Sequence, residues 1–331
     1  MQDVAARAGV SMMTVSRVLS KHHKVRESTR QKVLNAVESL KYKPNISARS
    51  LAGSKSYFLG LLYDNPNAGY VNQLLFGALK KCHKKGYNLI VDSFEETSNE
   101  AEQMVHSLIE QSRIDGIILT PPICDSTHIL EALEQAHIPM VRIAPQSNPQ
   151  RSAYVCMDDF KAARETTEHL ISMGHQKIAI IMGPPDHGAS RLRLEGFKQA
   201  LEDHNLPCPE HYMQEGLFTY QSGFESAERL IDNEDRPTAI FACNDDMAAA
   251  VISAAHKYQL NVPADISVAG FDDSPIAATI WPKLTTIRQP TIAMAEKAVE
   301  LLTQSNQEDP RKYILDYEFI RRDSVAKIPK S

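Results

Sequence analysis

The chain has 331 residues, 43% of them hydrophobic, and a net charge of −5. It is too long for one small domain, and its apolar content can build two or three sizeable cores. No apolar run approaches a membrane span, no signal peptide begins the chain, and the five cysteines (Cys82, Cys124, Cys156, Cys208, Cys243) are scattered with no C-x-x-C, so a soluble cytoplasmic protein with reduced, mostly buried thiols is expected.

The first elements are the most informative. Val4, Ala5 and Ala8 share one face of a short helix, and Gly9 can take the positive φ that ends it at a tight angle. Val10 plugs the corner, and Ser11 is a good N-cap for a second helix that buries Val15, Val18 and Leu19. The opposite face of that helix carries Met12, Met13, Ser16 and Arg17. This is the pattern of a helix-turn-helix that enters a DNA major groove, with Ser11 and Thr14 at the start of its second helix. His22-His23 follow in a loop, where His22 is read as a phosphate contact rather than a metal ligand. A third helix is predicted from Ser28-Thr29, burying Val33, Val37 and Leu40. Charge agrees with this reading. Residues 1–55 hold 11 Lys and Arg against 3 acids, a net +8, which leaves −13 for the remainder.

After residue 57 the rhythm changes. Apolar runs at 58–63, 88–94, 116–120, 140–144, 177–182, 238–242 and 267–271 read as buried strands. Between them, 71–85, 99–112, 160–173, 192–204, 223–233 and 247–258 read as helices. Continuous apolar strands alternating with helices imply α/β architecture, with parallel sheets covered on both faces.

The helix-turn-helix, the third helix, Tyr42-Lys43-Pro44-Asn45 and Ser47-Ala48-Arg49-Ser50-Leu51-Ala52-Gly53 together resemble the LacI/GalR family of bacterial transcription regulators, and the likeness runs through nearly the whole chain. The resemblance implies a head over 1–44, a hinge helix or linker over 45–54, and an effector-binding and dimerisation domain over 55–331. The last is similar to periplasmic sugar-binding proteins, with two doubly wound lobes, one near 57–156 plus 287–315 and the other near 157–286 plus 316–331. In the hinge it implies DNA contacts from Asn45, Ala48, Arg49 and Leu51, with Leu51 at a minor-groove wedge position. It implies an effector site at Asp64, Asn65, Tyr70, Asp159, Arg193, Phe218, Asn244 and Asp272. Most of these follow predicted strands, where open parallel sheets bind ligands. It also implies a homodimer on a near-palindromic operator and a sugar or glycoside effector, with a purine or nucleoside as the alternative.

Two departures from the family pattern stand out. Relatives usually carry a few residues before the first helix, including a capping Thr, and methionines occupy base-reading positions at Met12 and Met13. Methionine cannot form a bidentate hydrogen bond but packs on thymine methyls. The end of the chain, 328–331, lacks the leucine-rich tail of tetrameric members. No phosphate-binding, dinucleotide, nucleophile-elbow or zinc-protease motif is present, so no catalysis, cofactor or metal is expected. The reading from another class is a sugar-binding protein without a DNA function, which residues 3–51 oppose.

Overall fold

The computed structural model describes residues 1–19, 25–42, 55–93, 114–304 and 312–328. His22, the whole 45–54 stretch and the predicted 99–112 helix lie outside these. The chain forms two compact units, Met1–Tyr57 and Phe58–Ser331.

The described residues of the first unit form α1 (Gln2–Ala8), α2 (Met12–Leu19) and α3 (Glu27–Ser39). Gly9 sits at φ 65°, ψ 37° and its N–H reaches the carbonyls of Ala5 and Ala6, so α1 stops there. Val4, Ala5, Val15, Val18, Val33 and Ala36 form the core, with Val10, Leu19 and Val37 packed at its edge. One expectation fails. Leu40 is 42% exposed, and the smaller Ala36 takes the buried position on α3. The helix ends at Ser39, so Leu40 lies past the last turn and cannot follow its apolar face.

The second unit carries two parallel sheets. The larger runs β11-β5-β4-β3-β1-β2, from β1 (Phe58–Tyr63), β2 (Asn88–Ser93), β3 (Ile117–Leu119), β4 (Met140–Ile143), β5 (Ala153–Cys156) and β11 (Lys312–Ile314). The smaller runs β7-β6-β8-β9, from β6 (Ile178–Met182), β7 (Met213–Glu215), β8 (Ala239–Ala242) and β9 (Ser267–Ala269). The central strands are apolar on both faces because helices cover both: Ile117–Leu119 and Ala239–Ala242 are buried at every residue. On the first sheet α4 (Ala68–Lys85) packs against α11 (Thr291–Thr303), and α5 (Thr127–Gln135) adds Ile129, Leu130 and Leu133 to the core. The second sheet is flanked by two helix pairs: α6 (Asp159–Ser172) with α7 (Gly188–Asp203), and α8 (Tyr220–Ile231) with α9 (Asp245–Lys257). The short α10 is Pro275–Thr279. The antiparallel ribbon of β10 (Thr286–Arg288) and β12 (Glu318–Ile320) lies where the chain passes between the sheets. Among the described residues no helix is long and apolar enough to cross a membrane.

Candidate functional site

In the head, α2 buries Val15 and Val18 and turns Met12, Met13 and Arg17 to solvent, with Thr14 and Ser16 half-buried beside them. Met12 and Met13 are 52% and 65% exposed, high for a side chain that gains by burial. Ser11 holds the helix start. Its Oγ accepts from the Thr14 N–H at 3.3 Å and lies 3.0 Å from Thr14 Oγ1. The first unit thus presents an apolar pair and a guanidinium on the exposed side of α2. Asn45, Ala48, Arg49 and Leu51, like His22, fall outside the described residues.

In the second unit a partly open cleft, about 470 Å³ of space that includes open solvent, lies at the ends of the two sheets. Loops at the carboxyl ends of strands from both sheets supply its walls. Of the expected effector residues, Asn65, Tyr70, Asp159, Arg193, Phe218, Asn244 and Asp272 line it. Asp64, half-buried at the end of β1, does not.

Arg193 projects from α7 and is buried. Its Nε and Nη2 donate to Asp159 Oδ1 at 2.9 and 2.8 Å, and its Nη1 donates to the Cys243 carbonyl at 2.6 Å. Its guanidinium stacks on Phe271, 3.6 Å from the ring centroid. Burial pushes the Asp159 carboxyl up, and the guanidinium beside it pulls the other way.

Asp272 faces Arg193 from the loop after β9. Asn67 Nδ2 and Gln289 Nε2 donate to its two oxygens, each at 2.6 Å. Burial pushes this carboxyl up to about 6, against the lowering pull of Arg193 and of the two amides. Behind it Asp245, fully buried, accepts from the Ser274 N–H at 2.7 Å and from Thr286 Oγ1 at 2.6 Å. Burial and the nearby Asp272 hold Asp245 well above the usual carboxylate range. Burial and the carboxylates of Asp159 and Asp272 raise the Tyr70 phenol far enough to keep it a donor. Burial lowers His187, favouring its neutral imidazole, against the raising pull of Asp186.

Asn244 has a double structural role. Its Oδ1 caps α9 by accepting from the Met247 N–H at 2.9 Å, and its Nδ2 donates to the Phe218 carbonyl at 2.8 Å. That second bond holds Phe218 in left-handed backbone at φ 57°. The Phe218 ring lies against Gly183, where a Cβ would overlap it, and edge-on to His187 at 5.3 Å between centroids.

Asn67, His187 and Gln289 also line the cleft and were not anticipated. Asn67 had a readable signal, because Asn65-Pro66-Asn67 precedes a helix and Asn67 caps it, accepting from the Tyr70 N–H at 3.0 Å. Met157 and Met294 had none, since an apolar residue facing a cleft reads like one facing a core. Among the described residues no three His, Cys, Asp or Glu side chains converge as metal ligands.

Residues 1–45 match the family profile described as bacterial regulatory proteins, lacI family, and residues 167–325 match a periplasmic binding protein-like domain. The probable transcriptional repressor ExuR of Bacillus subtilis (strain 168) is 32% identical over 99% of this chain and 98% of its own length. The chain belongs to the LacI family. The ribose operon repressor of Escherichia coli (strain K12) is 34% identical over 91% of both chains. The Lac repressor dimer bound to operator and the anti-inducer ONPF superposes with a TM-score of 0.80 at 29% identity, covering 98% of both chains. The protein is therefore a DNA-binding transcription regulator and not an enzyme.

Proposed function

We propose that this chain is a cytoplasmic, homodimeric repressor of carbohydrate-utilisation genes, released from its operator by an uncharged sugar held in the cleft. The charge balance of the cleft carries the ligand class. Arg193 is the one permanent cation among its described lining residues, and Asp159 already neutralises it. An anionic effector would find no free counter-charge, whereas a polyol finds amide, carboxylate and phenol groups and the face of Phe218. Similar proteins support this reading: one is named as the ribose operon repressor, and a structurally similar regulator, CelR, was solved as a complex with cellobiose. In the proposed mechanism, effector binding shifts the closure of the two lobes and so the spacing of the two heads on DNA. The division into head, hinge and two lobes, and the DNA roles of Ser11, Met12, Met13, Thr14, Ser16 and Arg17, belong to the same proposal.

Calorimetric titration against neutral mono- and disaccharides, with nucleosides and purine bases as the contrast set, tests the ligand class. A neutral sugar should bind and should release operator in a gel shift. Binding of a purine and of no sugar would overturn the reading.

A further inference from the structure

Two aspartates stand side by side after β9, and of the two Asp272 lines the cleft while Asp273 does not. The chain leaving β9 runs on beside β10. Gly270 N–H donates to the Thr285 carbonyl at 2.9 Å, and Asp272 N–H donates to the Ile287 carbonyl at 2.8 Å. The chain then turns sharply. Asp272 sits at φ 124° and Asp273 at φ 53°, two successive residues in backbone that favours glycine. Both carry side chains, so the turn stores strain that its surroundings must hold.

Two guanidiniums hold it. Asp273 Oδ2 accepts from Arg288 Nε at 2.7 Å, and its Oδ1 accepts from Arg322 Nη2 at 2.5 Å. Arg288 belongs to β10 and Arg322 follows β12 by two residues, so both strands of the antiparallel ribbon grip one carboxylate. Each guanidinium is itself fixed: Arg322 Nη1 donates to the Leu284 carbonyl at 2.8 Å, and Arg288 Nη1 to Glu318 Oε2 at 2.6 Å. The Asp273 side chain is only 8% exposed, so its charge depends on these two partners. One residue further on, the Ser274 N–H is tied to Asp245. Asp272 is thus pinned through its N–H on one side and through Asp273 and Ser274 on the other. Any relaxation of its φ would swing Cβ about the N–Cα bond. The carboxylate would then leave Asn67 and Gln289, its donors at 2.6 Å.

We propose that Asp273 is a positioning residue of the effector site: clamped by Arg288 and Arg322, it holds the Asp272 carboxylate in the cleft. This rests on the reading of the cleft as a sugar site. A residue present only to tolerate the left-handed turn could be replaced by asparagine, which adopts that conformation as readily as aspartate. The clamp needs the charge, so asparagine cannot supply it.

The test is Asp273→Asn, Arg322→Gln and both together in the full chain. Two readouts serve it. One is calorimetric affinity for neutral mono- and disaccharides. The other, in protein without added saccharide, is the side-chain amide resonances of Asn67 and Gln289, which report whether Asp272 still accepts from them. Asp273→Asn should weaken binding of the tightest saccharide about tenfold and shift both resonances. Arg322→Gln should act in the same direction, and the double variant should lose no more than the stronger single one. Parental affinity in Asp273→Asn overturns the positioning role, as do unmoved resonances. Additive losses in the double variant overturn the clamp. Should Asp273→Asn fail to fold, Arg288→Gln, at a half-exposed side chain, takes its place, and parental behaviour in both readouts overturns the proposal. A parent that binds no saccharide overturns the sugar reading alone, and the resonances still decide whether Asp273 positions Asp272.

Discussion

At the scale of single residues, the Arg193–Asp159 pair separates structure from function. Both side chains are about 5% exposed. Removing one partner of such a pair leaves an uncompensated buried charge, a cost of about 3–5 kcal/mol. Arg193→Met should therefore lower thermal stability and abolish effector binding. Adding Asp159→Asn should restore much of the stability and none of the binding. A double variant that recovers both would remove the pair from the site. Asp272 gives a second prediction. Its folded carboxyl titrates at about 6 and an unfolded one near 3.8, so folding takes up a proton between those values. The stability tied to this group is fully present below the unfolded value and is lost as pH rises toward 6, by up to roughly 3 kcal/mol. The neighbouring charged and titratable groups are Arg193, Asp159, Asp245, Asp246, His187 and Tyr70. Asp272→Asn leaves these in place and should flatten this part of the profile. Denaturant melts from pH 4 to 7 that show the same slope in variant and parent would reject the assignment. The sequence made the strand-end positions legible, because loops at the carboxyl ends of parallel strands must face the cleft. From the first lobe it named Asn65 and Tyr70, which line the cleft, and Asp64, which does not, and it left out Asn67, which reaches across to Asp272. Side-chain reach across a cleft leaves no trace in local pattern.

At the scale of elements, long periodic helices and fully apolar strands were readable to within a few residues. Strand β1 and the predicted 58–63 run coincide, and α6 and α9 each differ by one or two residues at their ends. The elements that escaped notice are β5, β7, β10, β11 and β12, of three or four residues, and the helices α5, α10 and α11, of which α11 packs on both the first sheet and α4. The helix-turn-helix was legible because its constraints are local: a glycine at positive φ, a serine cap and a few small core residues. Its outward face predicts the effect of Arg17→Ala. A guanidinium suits the O6/N7 edge of guanine, so the variant should lose on the order of 1–3 kcal/mol of operator affinity and relax specificity at one base pair in each half-site. Gel shifts at fixed salt measure this. Unchanged affinity and specificity would mean that α2 docks differently.

At the scale of the whole molecule, the split between a basic head and an acidic body anticipated two jobs, but no local pattern says how copies of the chain assemble. The surface of the second unit supplies that clue. Phe76 and Leu79 stand one turn apart on α4 and are 60% and 51% exposed, and Ile292 of α11, packed beside Gly77, is 36% exposed. The two helices pack against each other and are bridged by Lys80–Glu296 at 2.8 Å and Lys81–Glu300 at 3.3 Å. An exposed apolar patch with charged neighbours has the make-up of an interface core and rim. In a two-fold dimer the same patch meets its own copy, and two heads are brought to the two halves of an operator. Joining the heads makes binding of the second half-site an intramolecular event, with an affinity gain of about 10²–10⁴ from effective concentration alone. Phe76→Glu with Leu79→Glu places like charges opposite each other across the axis. Sedimentation should show a monomer, and operator affinity should fall by about that factor. Effector affinity should stay near the parent value, because the cleft is built within one chain. A double variant that still sediments as a dimer would place the interface elsewhere. A monomer that binds the full operator as tightly as the parent would show that the heads act singly.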